Sequence, residues 1–125
     1  GEEGTPHQRL LKFIKATLEG QASEYRMLSL WATFISQNRV DPMLTAVRDV
    51  SYANLRQATE PLIAELFIVE GRECTAFEIE QATICVHAIL DGLWIEACLD
   101  QTSKNKENFV KLATKMIEKV LDIKI

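Results

Sequence analysis

The sequence predicts an all-α protein, a bundle of five to six helices in one domain. Apolar residues recur at spacings of three and four along most of the 125 residues. No segment shows the alternation of apolar and polar residues that is typical of a half-buried strand. Residues that start and end helices divide the chain into segments of helical length. With 47% hydrophobic residues, a chain of this length can bury a core without disulfides.

The first two helices are predicted before residue 40. Thr5 and Pro6 supply an N-cap and a proline in the first turn, and Gly20 ends the first helix. The apolar face of this helix consists of Leu10, Leu11, Phe13, Ile14 and Leu18. A second helix is predicted from Ser23 to about Asn38, with an apolar face of Met27, Leu28, Leu30, Trp31, Phe34 and Ile35.

A long third helix is predicted to begin at Asp41 and Pro42. Aspartate is a favoured cap, and proline is tolerated in the first turn, where its missing N–H costs nothing. Pro61 lies inside the helical pattern, so we expect a kink or a short break near residues 58–61. Gly71 ends the segment that follows.

Two further helices complete the bundle. Thr75 is the expected cap of a helix that runs to about Leu99, and its part from Gln81 onward is apolar on almost every side. A helix of this kind must be covered on all sides, either by the rest of the chain or by another molecule. The last helix is predicted from about Asn105 to Ile123 and has a single apolar face.

Composition excludes several classes of function. The formal net charge of −4 argues against binding of a phosphate backbone by this chain itself. The three cysteines lack the spacing of a zinc or redox site and are expected to be free thiols in a reducing cytoplasm. His87 and Asp91 lie four residues apart but lack a third ligand, so we expect neither a metal nor another cofactor. We also expect no catalysis and no membrane span.

Four short segments resemble a known family. They are WATF at Trp31 to Phe34, the Asp41-Pro42 cap, Asn54-Leu55, and AILDGLW at Ala88 to Trp94. Together they resemble the C-terminal domain of TetR-family transcriptional regulators, in particular the BetI-like subgroup, which is associated with choline. The resemblance implies a repressor that a small-molecule effector releases from operator DNA.

The resemblance also implies a division of the chain. Residues 1–5 would be a linker or a cloning remnant, and residues 6–125 the effector-binding and dimerisation domain. The family's N-terminal helix-turn-helix has no counterpart here, so contact with DNA is expected only through that domain.

In this family the last two helices of each subunit form a four-helix bundle with those of a second subunit. The chain is therefore expected to be a homodimer. On the first of these helices, a strip of small side chains would allow close approach, namely Cys85, Ala88 and Gly92. On the second, larger side chains would pack against it, namely Phe109, Leu112, Met116 and Val120.

The remaining helices are expected to enclose an effector pocket. Aromatic faces and one carboxylate together suit an organic cation, and the residues in question are Trp31, Phe34, Tyr52, Asp91 and Trp94. The aromatic residues have an alternative reading as ordinary core, and Asp91 as the partner of a structural group such as Arg56 or Asn54. The sequence does not identify the effector.

Two other functional classes stay open from the residues alone. The chain could be a helical module that binds a different protein through its apolar helix. It could also be a small all-α enzyme, although no nucleophile elbow, phosphate-binding loop or pair of carboxylates at a catalytic spacing is present in the sequence.

Overall fold

The computed structural model describes residues 4–19, 29, 32, 33, 36, 42–99 and 106–125, and the side chains of 42–53, 55, 98, 106 and 107 are outside that description. The described chain forms four helices and no strand, which confirms the all-α class. The helices are α1 (Pro6–Glu19), α2 (Pro42–Val69), α3 (Ala76–Leu99) and α4 (Lys106–Leu121). The predicted helix from Ser23 to Asn38 lies almost wholly outside the described residues, so the expected total of five to six is not tested.

Two helices begin with reciprocal capping hydrogen bonds. At α1, the backbone N–H of Gln8 donates to the Thr5 hydroxyl, and the Thr5 N–H donates to the Gln8 side chain. At α3, the Glu78 N–H donates to the Thr75 hydroxyl at 3.1 Å, and the Thr75 N–H donates to the Glu78 carboxylate at 3.2 Å. Each pair satisfies two backbone donors that a helix start leaves unpaired. Both predicted caps are confirmed.

The long helix α2 is continuous across Pro61, so the short break expected near residues 58–61 is not present. Proline removes one backbone donor from the helix ladder, and the burial of Thr59 before it and of Ile63 and Leu66 after it holds the helix on both sides. The helix ends at Val69, and Gly71 follows with a φ of +72°. This left-handed conformation favours glycine and ends the helix as predicted.

The core lies where α1 packs against the other three helices. It is formed by Leu10, Ile14, Leu18, Ile63, Leu66, Phe67, Val86, Leu90, Val110, Ala113, Ile117, Leu121 and Ile123. Helix α3 packs on α1, α2 and α4. Only one side of α3 is buried by these contacts, and its opposite side is exposed.

Polar contacts tie the ends of the helices together. His7 contacts Glu70 at 2.6 Å, and Arg9 pairs with Glu65 at 2.6 Å, so the start of α1 is joined to the end of α2. Arg72, in the turn before α3, donates to the carbonyl oxygen of Leu121 at 2.5 Å. It also donates to the next carbonyl and lies over the Phe67 ring. A cation at this point stabilises the C-terminal end of α4.

Candidate functional site

The exposed side of α3 is mostly apolar, although the exposed residues of this helix also include Gln81, Glu78, Asp91 and Glu96. Every third or fourth residue from the first turn to the last points away from the chain's own core, and these residues are Phe77, Gln81, Ile84, Cys85, Ala88, Gly92, Ile95 and Leu99. We call them, together with the strip on α4 given next, the exposed apolar face. Solvated helix surfaces in soluble proteins are usually polar, and a large apolar surface marks an interaction site.

Helix α4 contributes a second strip to this face. Its exposed apolar residues are Leu112, Met116 and Val120, and the half-buried Phe109 lies one turn before them. The large apolar side chains on the two helices are between 39% and 65% exposed. Helices α3 and α4 pack against each other, so the two strips lie on neighbouring helices.

The seven residues expected at the dimer interface all lie on α3 or α4, outside the fully buried core. Cys85, Ala88 and Gly92 are exposed on α3, and the four residues on α4 are exposed or half-buried. Sequence reasoning missed the large residues that flank the small strip, namely Phe77, Ile84, Ile95 and Leu99. These residues also recur at spacings of three and four, but the helix is apolar on almost every side, so the pattern does not distinguish them from its core residues.

Gly92 has no role in packing against the part of its own chain that the structure describes. A Cβ atom added at this position would meet nothing within 4 Å. Glycine in the middle of a helix costs about 1 kcal/mol relative to alanine. The described chain therefore offers no packing reason for glycine here, whereas close approach of another helix would supply one.

A polar cluster lies on the neighbouring flank of α3, where the helix faces α2. His87 is only 6% exposed, and its Nε2 atom is 3.0 Å from the hydroxyl of Thr59 on α2. Arg56 on α2 forms an ion pair with Glu80 on α3 at 3.2 Å. The sequence had not singled out Thr59 or Glu80, because neither belongs to a recognisable motif.

Two groups at this cluster, His87 and Asp91, have shifted pKa values. Burial lowers the pKa of the His87 imidazole below 6.5, the Asp91 carboxylate opposes this shift, and Arg56 adds to it. Partial burial raises the pKa of the Asp91 carboxyl above 3.8, and the nearby His87 opposes the shift. Perturbed groups of this kind are common at functional sites, although structural networks also produce them.

The five residues expected in the effector pocket have different outcomes. Asp91 is exposed at the edge between the polar cluster and the exposed apolar face, and Trp94 is half-buried against the core. Trp31, Phe34 and the side chain of Tyr52 lie outside the described residues. The structure therefore does not test whether the five converge.

Two surface depressions are lined by residues other than those expected in the effector pocket. One, of about 370 Å³, lies between α1 and α4 and includes Lys15, Lys111 and Lys115. The other, of about 380 Å³, lies between α2 and α3 around Pro61 and Ile79. Neither includes a residue expected in the effector pocket.

The part of the chain that the structure describes offers neither a metal-binding cluster nor a membrane-spanning helix. Within it, no group of three or more histidine, cysteine, aspartate or glutamate side chains is arranged to hold a metal ion. None of its helices combines the length and the apolar character needed to cross a membrane.

Comparison with known families finds one match. A family model described as "BetI-type transcriptional repressor, C-terminal" matches residues 6–122. Neither the curated proteins nor the solved structures include a match to the chain. The matched region contains all four helices and every residue of the exposed apolar face and the polar cluster.

Proposed function

The chain belongs to the family of BetI-type transcriptional repressor C-terminal domains, and from this premise we propose that it is the dimerisation and effector-binding domain of a TetR-family repressor. Regulators of this type typically dimerise and bind effectors. The exposed apolar face carries the proposal, because it combines large apolar side chains with a mid-helix glycine that packing among the described residues does not require.

The proposed dimer buries the exposed apolar face of one subunit against that of its partner. Four helices, α3 and α4 from each subunit, form the interface. Burial of apolar surface contributes about 25 cal/mol per Å² before the cost of association. The chain's surface lysines at 111, 115 and 119 lie beside the strip on α4, where they stay hydrated at the rim.

A charge substitution in the centre of this face tests the dimer. Glutamate at Met116 places an unpaired carboxylate in the interface, so Met116→Glu is expected to sediment as a monomer. Ile68→Glu is the matched control, because Ile68 is 74% exposed on α2 and outside this face. Equal masses for wild type and Met116→Glu would contradict the proposed interface.

The proposed effector is a small organic cation that lies against Asp91 and nearby aromatic side chains. Although Asp91 is exposed as a residue, partial desolvation of its carboxyl group raises the pKa of that group. A cation bound beside it would offset the cost of this desolvation, and the face of Trp94 offers a further favourable contact. Such a ligand acts as an effector only if it binds two arrangements of the dimer with different affinities.

Thermal denaturation with choline and its neutral analogue 3,3-dimethyl-1-butanol tests this proposal. Choline at 100 times its dissociation constant should add about 2.7 kcal/mol of stability, and the uncharged analogue much less. Asp91→Asn should abolish the difference between the two compounds. Asp122→Asn is the control, because the side chain of Asp122 is fully exposed and contacts Arg72 rather than the polar cluster.

The outcomes separate the two parts of the proposal. A dimer that none of a panel of quaternary and primary ammonium compounds stabilises would refute the organic-cation effector and leave dimerisation intact. A chain that stays monomeric across the micromolar range would instead favour a helical module for a different protein.

A further inference from the structure

His87 is buried where three helices meet. It lies on α3, its Nε2 atom is 3.0 Å from the Thr59 hydroxyl on α2, and its ring centroid is 6.3 Å from that of Phe13 on α1. Only 6% of this residue is exposed. The packing of α1, α2 and α3 therefore fixes the position of the imidazole.

The contact with Thr59 is compatible with both charge states of the imidazole. A hydroxyl group can donate a hydrogen bond to an unprotonated ring nitrogen or accept one from a protonated nitrogen. Uptake of a proton therefore does not require the ring to leave its position. What changes for the surrounding groups is the charge at this point of α3.

Asp91 is one helical turn from His87 on the same helix. Residues four positions apart lie on one face of a helix, with Cβ atoms about 5–6 Å apart. Each group favours the charged form of the other, because the carboxylate and the imidazolium have opposite charges. Asp91 is exposed, whereas His87 is buried. The carboxylate is therefore accessible to a cation from solvent and also lies in the field of the buried imidazole.

The other groups around His87 do not stabilise its protonated form. Arg56, on α2, lowers the pKa of the imidazole and is itself paired with Glu80 at 3.2 Å. Helix α1 meets the ring with Phe13, which carries no charge. Helix α4 also packs on α3, but its described charged side chains are not among the groups that shift the pKa of His87. Among the described residues, Asp91 is thus the carboxylate that compensates a charge on this imidazole.

We propose that protonation of His87 disfavours binding of a cationic effector at Asp91, so that the affinity for the effector falls as the pH decreases. This regulation rests on the effector site proposed above. The imidazolium and a bound cation interact with the same carboxylate and repel each other. Each of the two positive charges therefore weakens the binding of the other.

The direction of the effect follows from linkage. Above the pKa of His87 the imidazole is neutral, and Asp91 is available to the cation. Below this pKa the imidazolium is present, and the dissociation constant of the cation rises. Coupling between two sites is reciprocal and is typically about 5–150-fold. We therefore expect binding at least about fivefold weaker below the pKa than above it, and a saturating cation should lower the pKa of His87 by at least about 0.7.

NMR titration of the imidazole tests this coupling directly. The probe is choline, or the compound in the ammonium panel that stabilises the chain most. In the absence of the probe, Asp91→Asn should lower the pKa of His87, because the carboxylate no longer favours the charged imidazole. Saturating probe should lower the pKa of His87 in wild type but not in Asp91→Asn. The uncharged 3,3-dimethyl-1-butanol should leave this pKa unchanged.

His7 is the internal control in the same spectra. The chain contains two histidines, and His7 contacts Glu70 at 2.6 Å where α1 begins and α2 ends. The pKa of His7 should respond neither to the cation nor to Asp91→Asn. A response of both histidines would indicate a general effect of the added salt and would overturn the proposed coupling.

The results separate this regulation from the proposed effector site. A lower pKa of His87 with the cation, and an unchanged pKa with the neutral analogue, supports the regulation. A cation that binds through Asp91 without changing the pKa of His87 overturns the regulation and leaves the effector site standing, because a histidine that only packs against Thr59 and Phe13 would not respond. An Asp91→Asn chain in which free His87 keeps its wild-type pKa overturns it as well. A panel in which no ammonium compound binds overturns both.

Discussion

Replacing Gly92 with alanine should stabilise the isolated subunit and weaken the dimer. In the subunit, the added methyl group meets nothing within 4 Å, and the glycine is helical with no positive φ. Alanine therefore gains helix propensity without a steric cost. We expect the free energy of unfolding of the monomer to rise by about 0.4–1 kcal/mol.

The same methyl group enters an occupied space in the dimer. Overpacking of a closely packed contact costs about 1–3 kcal/mol, and 1 kcal/mol corresponds to about fivefold in a dissociation constant. Sedimentation equilibrium should therefore show a dimer at least about fivefold weaker than wild type. Urea denaturation at protein concentrations well below the dissociation constant of the dimer measures the free energy of unfolding of the monomer separately.

Gly71→Ala is the matched control for this experiment. Gly71 has a φ of +72°, where an alanine costs about 1–2 kcal/mol, so this variant should lose stability without losing dimer affinity. A Gly92→Ala chain with unchanged or tighter dimerisation would refute the reasoning, because it would place Gly92 outside the contact.

Three further predictions concern the fold that presents this face. Arg72→Ala should lower the free energy of unfolding by about 1.5 kcal/mol in urea denaturation, because the end of α4 loses a charged donor, and Arg72→Lys should retain part of it. Thr75→Ala should cost about 1 kcal/mol through loss of the α3 cap, whereas Thr75→Ser should be nearly neutral; equal losses in both variants would exclude a capping role. The pKa of His87 is lowered in the folded chain, so the unfolded chain takes up a proton first as the pH falls. The contribution of neutral His87 to folding stability is therefore complete above pH 6.5 and is lost at lower pH. Below pH 6.5 the free energy of unfolding of His87→Gln should fall less steeply than that of wild type, by at most about 1.4 kcal/mol per pH unit.

Local signals in the sequence predicted the helices well. The caps at Thr5 and Thr75 and the helix end before Gly71 are where the sequence places them, because each depends on contacts within a few residues. Pro61 was harder to interpret. The effect of one missing donor on α2 depends on core packing around it, which a local pattern does not contain.

The exposed apolar face was only partly predicted. A helix that is apolar on every side gives no periodic contrast, so the sequence does not show which side of α3 its own chain covers. The small residues at 85, 88 and 92 were recognised through their size, whereas Phe77 and Leu99 were not. Only the packing of α1, α2 and α4 shows that these larger residues are exposed.

The polar cluster was only partly predicted, for a different reason. His87 and Thr59 are 28 positions apart, and Arg56 and Glu80 are 24 apart. Each pair forms only when α2 and α3 pack together, and no motif connects their members. The sequence pointed to Asp91, His87 and Arg56, whereas Thr59 and Glu80 were found only from the fold.

The mass of the wild-type chain in solution tests the central claim most directly. Sedimentation equilibrium across the micromolar range should give twice the 14.2 kDa of the chain at high concentration, with a reversible shift toward the single mass on dilution. A mass of 14.2 kDa at every concentration in this range would contradict the claim that the exposed apolar face belongs to a second subunit.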